Sequence, residues 1–212
     1  MKIALINENS QAPRNDLIFS TLKKVAEPLG HECFNYGRYS AEDPYERSYV
    51  QAGILAAILL NSGAADFVIT GCGTGMGAML ACNSFPGVMC GWAHEPLESY
   101  LFSQVNAGND ISIPFAMGFG WGAEINLEYL FEKLFSTEMG GGYPAEWASA
   151  EQRNRSILTQ VKKVTHNDIL SVLKNLDQEL LKGAIAEPSF RELFYSNCKN
   201  REIMDYIRGV LS

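Results

Sequence analysis

Short apolar runs alternate with segments of helical period from the first residues to about position 137. The run at 2–6 is brief and almost wholly apolar, which predicts a buried strand. Residues 14–28 carry a helical period that Pro28-Leu29-Gly30 ends. A second strand is expected at 32–36, and an Ala- and Leu-rich helix at 47–61 with Gly63 as its stop. Residues 67–70 are short, apolar and β-branched, hence a third strand. A glycine-rich turn leads into a helix that runs to Asn83, and Pro86-Gly87 turns the chain again. Strands at 88–91 and 111–117 flank a helix at 95–105, and an amphipathic helix at 123–135 closes the series.

Such alternation predicts an α/β fold: a three-layer, Rossmann-like, mainly parallel five-stranded sheet with helices on both faces. Ligands on these sheets bind beyond the C-terminal ends of the strands, so the loops after residues 6, 70, 91 and 117 are the places to look. The pattern changes past residue 137. Met139-Gly140-Gly141-Gly142-Tyr143-Pro144 is turn-forming, and helices are expected at 148–163, 167–182, 190–198 and 202–211. The chain therefore divides into an α/β domain over 1–137 and a helical C-terminal extension over 138–212.

Composition narrows the chemistry. With 212 residues, 47% of them hydrophobic and 19% charged, the chain can bury a real core. A net charge of −7 speaks against nucleic-acid binding, which calls for a basic face, but leaves room for a small anionic ligand. No run is long and apolar enough to span a bilayer, and no signal-peptide pattern opens the chain, so a cytoplasmic place is expected. The five cysteines (33, 72, 82, 90 and 198) are scattered and include no CxxC pair, and the three histidines lack HxxxH spacing. Neither a disulfide framework nor a metal site is expected.

The chemistry concentrates in Gly71-Cys72-Gly73-Thr74-Gly75-Met76-Gly77, between the third strand and its helix. Glycine at alternate positions lets the backbone take positive φ and approach a ligand, and inward N–H groups there form a nest for an oxyanion or phosphate. A thiol beside a helix N-terminus is suited to act as a base near neutral pH. Two other readings stand beside this one. The turn can serve packing alone, and Gly73-x-Gly75-x-x-Ala78 with Glu95 meets a loose dinucleotide fingerprint of an NAD(P)-type enzyme. That fingerprint normally follows the first strand rather than the third. A Walker phosphate loop is excluded because no GK[ST] follows.

The stretch FVITGCGTGMGAMLACNSFPGVMCG, residues 67–91, resembles the signature of the ribose-5-phosphate isomerase B and galactose-6-phosphate isomerase family. His94-Glu95-Pro96 and Ala116-Met117-Gly118 extend the likeness, which covers about residues 1–137. The resemblance implies a sugar-phosphate aldose–ketose isomerase in which Cys72 is the base and Thr74 assists ring opening. Backbone groups of Gly73, Gly75, Met76 and Gly77 would cradle the enediolate oxygen. It also implies a homodimer or tetramer with the site at the subunit interface. Neither metal nor cofactor is expected, since aldose–ketose isomerisation needs one base and one anion cradle. Several positions depart from the family. Its Asp-His pair after the first strand is Glu8-Asn9 here, and its ring-opening His in HND is missing, with Asn106 or Asn109 nearest to it. The RHxxR-type phosphate motif is not intact, and Arg153 and Arg155 are its nearest counterparts. A sugar-phosphate-binding protein without catalysis is the remaining alternative.

Further candidates have plainer readings beside them. Glu8 can act as acid/base or be a solvated loop carboxylate, and Asn9 can bind substrate. His94 can face the ligand from a strand end or simply enter a helix. Trp92, Trp121 and Trp147 can wall a sugar pocket or pack the core, and residues 38–49 can touch substrate or a second subunit. Cys33, Cys82, Cys90 and Cys198 read as core, and His31 and His166 as surface.

Overall fold

Strands β1 (Lys2–Asn7), β2 (Glu32–Asn35), β3 (Phe67–Cys72), β4 (Cys90–Trp92) and β5 (Asp110–Pro114) form one sheet in the order β2-β1-β3-β5-β4, every pairing parallel. The computed structural model describes residues 1–211. Alternate residues of the central strands feed two cores, as the pleat dictates. Ile3 and Leu5 of β1 join Ile69 and Ile111 in one, while Ala4, Ile6 and Val68 join the other.

The first core is covered by α1 (Asn15–Ala26) and α5 (Ala123–Phe135) through Ile18, Leu22, Leu127, Phe131 and Leu134. The second lies under α2 (Tyr49–Ser62), joined to the sheet by α3 (Met76–Asn83). Helix α2 is apolar all round because it is buried all round: the sheet lies beneath it and the C-terminal helices above. Ser48 and Gln51 close its start as a capping box.

After α4 (Pro96–Leu101) and a turn of π-helix at Phe102–Asn106, the chain continues past α5 into α6 (Ala148–Thr165), α7 (Ile169–Asn175), α8 (Gln178–Ile185), α9 (Pro188–Asn197) and α10 (Arg201–Leu211). Leu173, Leu181, Ile185, Phe190, Phe194, Ile203 and Ile207 of α7–α10 complete the α2 core. By contrast, α6 has no buried residue.

Several boundaries differ from the sequence expectations for local reasons. Residues Asn9–Arg14 form a 3-10 turn whose Ser10 N–H is met by the Glu8 carboxylate, and α1 starts at Asn15. The third strand runs on through Gly71 and Cys72, because β5 pairs with both. The fifth stops at Pro114, whose carbonyl accepts from the Met117 N–H in a turn. The expected helix over 167–182 is two, because Asp177 caps a new one with its carboxylate on the Leu180 N–H. No helix among the described residues is long and apolar enough to cross a membrane.

Candidate active site

The sheet order reverses direction between β1 and β3, and the crevice at such a switch point is where parallel sheets bind ligands. The loops after these two strands meet there, with the Glu8 N–H donating to the Gly71 carbonyl at 3.4 Å. Cys72 ends β3 at that rim with 8% of its surface exposed. Its carbonyl accepts from the Phe115 N–H at 3.1 Å and the Gly73 carbonyl from the Ala116 N–H at 3.0 Å, which ties the turn to the loop after β5.

The glycines of the turn serve different purposes. A Cβ at Gly71 would lie 2.1 Å from the Phe115 ring, so this position admits no side chain. Gly75 alone of the four is left-handed, at φ 71°, and it caps the N-terminus of α3. Its carbonyl accepts from the Ser112 hydroxyl at 2.7 Å, and the indole N–H of Trp92 donates to the Thr74 carbonyl at 2.9 Å. The Thr74 hydroxyl accepts from the Met76 N–H at 3.3 Å. The nest is therefore held from behind by β4 and β5, with Thr74 and Met76 exposed in front and the first-turn N–H groups of α3 lacking intrahelical acceptors.

Around this turn the fold assembles a polar rim. Glu8 is half-buried, its carboxylate held by the Ser10 hydroxyl and N–H. Gln11, 1% exposed, donates to the Ser10 hydroxyl and lies against Gly73. Its amide oxygen accepts from Arg14 at 3.1 Å, and the Arg14 guanidinium stacks over Phe119 at 5.3 Å. His94 stacks on Trp92 with ring centroids 6.1 Å apart and faces Gly118, while the Tyr49 ring packs beside Gly77. Of these, Gln11, Arg14 and Phe119 were not singled out from the sequence, while Tyr49 ends the loop over 38–49 that was. Gln11 and Arg14 both follow β1, where the sheet rule points, but a lone glutamine and an arginine at the expected start of a helix carry no catalytic pattern of their own.

Asn9 is a scaffold atom set as much as a ligand group. Its side-chain oxygen accepts from the Arg38 guanidinium at 2.9 Å and from the Arg47 backbone N–H, and its own N–H donates to the Arg47 carbonyl at 2.8 Å. Arg47 is 2% exposed and pairs with Glu187, just before α9, at 2.6 Å, while also donating to the Tyr36 carbonyl. Burial, acting against the mutual attraction of the pair, pushes the Glu187 carboxyl up and the Arg47 guanidinium down. A buried ion pair thus ties the C-terminal region to this rim.

The other expected site residues lie elsewhere in this chain. Asn109 is at the opposite, N-terminal end of β5, where its side chain accepts from the Met89 N–H and donates to the Gly87 carbonyl. Asn106 and Arg155 line a cavity of about 490 Å³ at that same end, and Arg153 is exposed on α6. One chain therefore brings Cys72, the glycine nest, Glu8, Asn9 and His94 together and leaves Asn106, Asn109, Arg153 and Arg155 apart from them.

Comparison with known proteins agrees with this arrangement. A family model described as ribose/galactose isomerase matches residues 3–140, and one described as ribose-5-phosphate isomerase matches residues 164–210. No curated protein matches the chain. A solved 4-deoxy-L-threo-5-hexosulose-uronate ketol-isomerase, complexed with a tartrate, is 62% identical with a TM-score of 0.97, covering 100% of this chain and 99% of that one. A ribose-5-phosphate isomerase from Vibrio parahaemolyticus is 47% identical, also with a TM-score of 0.97 and the same coverage. The type B ribose 5-phosphate isomerase of Trypanosoma brucei, at 19% identity and a TM-score of 0.63 over 76% of this chain and 97% of its own, shares the fold. By a family match that takes in residues 3–140, and by full-length relatives of the same architecture, the chain belongs to the ribose/galactose isomerase family and is a sugar isomerase of the aldose–ketose type.

Proposed function

We propose that this isomerase acts on an unphosphorylated 4-deoxy-hexosulose uronate, moving a carbonyl between adjacent carbons of the opened sugar through an enediolate. The observation that carries this reading is 62% identity over the full length to a ketol-isomerase named for that substrate. Arg14 and Arg38 are the guanidinium groups nearest the rim, and either suits a carboxylate.

In this mechanism Cys72 takes the proton from the carbon beside the carbonyl and returns it to the neighbouring carbon. The N–H groups of Gly73, Gly75, Met76 and Gly77 hold the developing oxyanion where β4 and β5 have fixed the turn. Thr74 and Glu8 move the hydroxyl protons, with His94 and Asn9 bounding the substrate. No cofactor enters this chemistry, because the electron pair stays within the sugar. We place the enzyme in the cytoplasm as a homodimer, or a tetramer built from it. Met76 and Leu80, 52% and 66% exposed on α3 beside the nest, fit an apolar contact with a second copy, which would also offer Asn106, Asn109 and Arg155 to the neighbouring site.

A phosphorylated pentose or hexose is the second reading, favoured by the 47% identical Vibrio parahaemolyticus enzyme. Assaying the purified protein with the 4-deoxy-hexosulose uronate, ribose 5-phosphate and galactose 6-phosphate separates the two. Turnover of the uronate at least tenfold more efficient in kcat/KM is expected, and preferential turnover of either phosphate overturns the uronate assignment. Incorporation of solvent deuterium into the substrate carbon, absent in Cys72→Ala, tests the base.

A further inference from the structure

Three metal-ligating side chains meet at the end of the sheet opposite the catalytic rim. Cys82 lies in the last turn of α3, while Cys90 and Asp110 are register partners at the first positions of β4 and β5. Their ligand atoms, two sulfurs and a carboxylate oxygen, all lie within 4.8 Å of one another. A tetrahedral ion bound at about 2.3 Å from each thiolate sets its sulfurs about 3.8 Å apart, so the cluster has the size such a site needs.

The second observation is an orphan. Asp110 is fully buried, its Oδ1 accepts from the Thr70 hydroxyl at 3.3 Å, and its Oδ2 has no hydrogen-bond partner among the described residues. A buried carboxylate oxygen without a donor is costly, and thiols are weak donors for it. A cation shared with the two sulfurs removes that cost. The charges also balance: two thiolates and one carboxylate bring −3, a divalent cation +2, and Lys162 the remaining +1. Lys162 reaches in from α6, its ammonium donating to the Asn83 and Val88 carbonyls on either side of the cluster. Cys90 and Lys162 both line the 490 Å³ cavity, which gives an entry path and room for a water as the fourth ligand.

We propose that Cys82, Cys90 and Asp110 form a structural site for a thiophilic divalent cation of the zinc class. On binding, Cys82 and Cys90 each release a proton to solvent and Asp110 serves as the third ligand. The ion clips α3, whose other end begins in the glycine nest, to β4 and β5. It stands apart from the isomerase chemistry and rests on none of the assignments at Cys72. The sequence expectation of no metal site followed from the lack of CxxC and HxxxH spacings, whereas residues 82, 90 and 110 meet only through the pairing of β4 with β5.

The test uses the full chain, reduced, stripped with chelator and titrated with Co2+ and then Zn2+. One equivalent of Co2+ is expected to give tetrahedral visible bands and near-ultraviolet sulfur-to-cobalt absorption of two thiolates, displaced by Zn2+. The spectrum is to persist in Cys72→Ala and vanish in Cys82→Ala and Cys90→Ala. No tetrahedral spectrum in the wild-type protein overturns the site, as does one lost in Cys72→Ala and kept in Cys82→Ala. Should the alanine variants fail to fold, alkylation of the wild-type protein decides: Zn2+ is to protect Cys82 and Cys90 together, and protection elsewhere, or a Cys82–Cys90 disulfide with no metal uptake after reduction, overturns it.

Discussion

The two ends of β5 place thiols in opposite surroundings, one at the upper end and two at the lower. At its C-terminal end Pro114 lies beside Cys72, in a rim of polar groups open to a ligand; at its N-terminal end a buried Asp110 lies beside Cys90 and Cys82, with Lys162 bonded to the flanking loops. The two ends are only about 13 Å apart along the strand. One residue type therefore stands in two surroundings: backbone N–H groups and solvent access at one end, a buried carboxylate and a second sulfur at the other. The first arrangement favours a thiol that exchanges protons with a substrate, the second one that keeps its neighbours fixed.

The sharpest way to test that division is to remove one thiol from each end. Cys72→Ala is expected to lower kcat by about ten-thousand-fold, the upper range for a lost general base and ~5 kcal/mol of barrier, with the melting temperature hardly changed. Cys82→Ala should do the reverse, costing about 1–2 kcal/mol of stability and leaving turnover close to wild type. Steady-state isomerisation beside thermal melts reads both. If Cys72→Ala unfolds and Cys82→Ala inactivates, the two roles are exchanged.

Next in size is the hold that the C-terminal helices have on the catalytic end. Glu187→Ala leaves Arg47 charged and buried, and breaking a buried pair costs about 4 kcal/mol, which urea unfolding measures. Replacing both partners by apolar residues should recover much of that loss. Activity need not follow, because Arg47 holds Asn9 by its backbone rather than by its guanidinium. A kcat that falls in the double variant would show that the ion pair positions the rim itself.

The pH dependence of stability addresses the other end. Burial raises the Asp110 carboxyl to about 6 from its ordinary 3.8, against the weaker effect of its polar neighbours Cys82, Cys90 and Thr70. Between those values the folded chain binds more protons than the unfolded one, so metal-free protein loses stability as pH rises from about 4 to about 6. The loss is at most about 3 kcal/mol and is absent in Asp110→Asn. A bound ion reverses the sign, because binding expels the thiol protons and strengthens as pH rises. Unfolding series with chelator and with Zn2+ should therefore slope in opposite directions across this range.

How much of this was legible in the sequence depends on how local each feature is. The strand, glycine turn and helix around Cys72 are contiguous, so their order and chemistry could be read directly, and the family signature lies within them. The parallel sheet followed from the alternation of short apolar runs and helical periods. What escaped is what the pairing of distant strands decides. Asp110 meets Cys90 only because β5 lies between β3 and β4, an order that no local pattern encodes. Arg155 could be placed on a charged helix but not at an end of the sheet. Gln11 and Arg14 were hidden because their place at the rim depends on the 3-10 turn Asn9–Arg14 that Glu8 caps, which no apolar period announces.

Lys162 offers the smallest change and the one that connects the two ends. Its ammonium is the polar strap from α6 to the loops around Cys82 and Cys90, and α6 has no buried side chain of its own. Lys162→Met keeps the aliphatic stem and removes two charge-assisted hydrogen bonds, so a loss of about 1 kcal/mol is expected. The kinetic constants then report on distance. Helix α6 carries Arg155, which in one chain lies at the end away from Cys72. If a second copy presents that arginine to the neighbouring substrate, loosening α6 should raise KM by a few fold at constant kcat. An unchanged KM alongside the lost stability would confine α6 to the lower end, and the anion would then belong to Arg14 and Arg38 of the same chain.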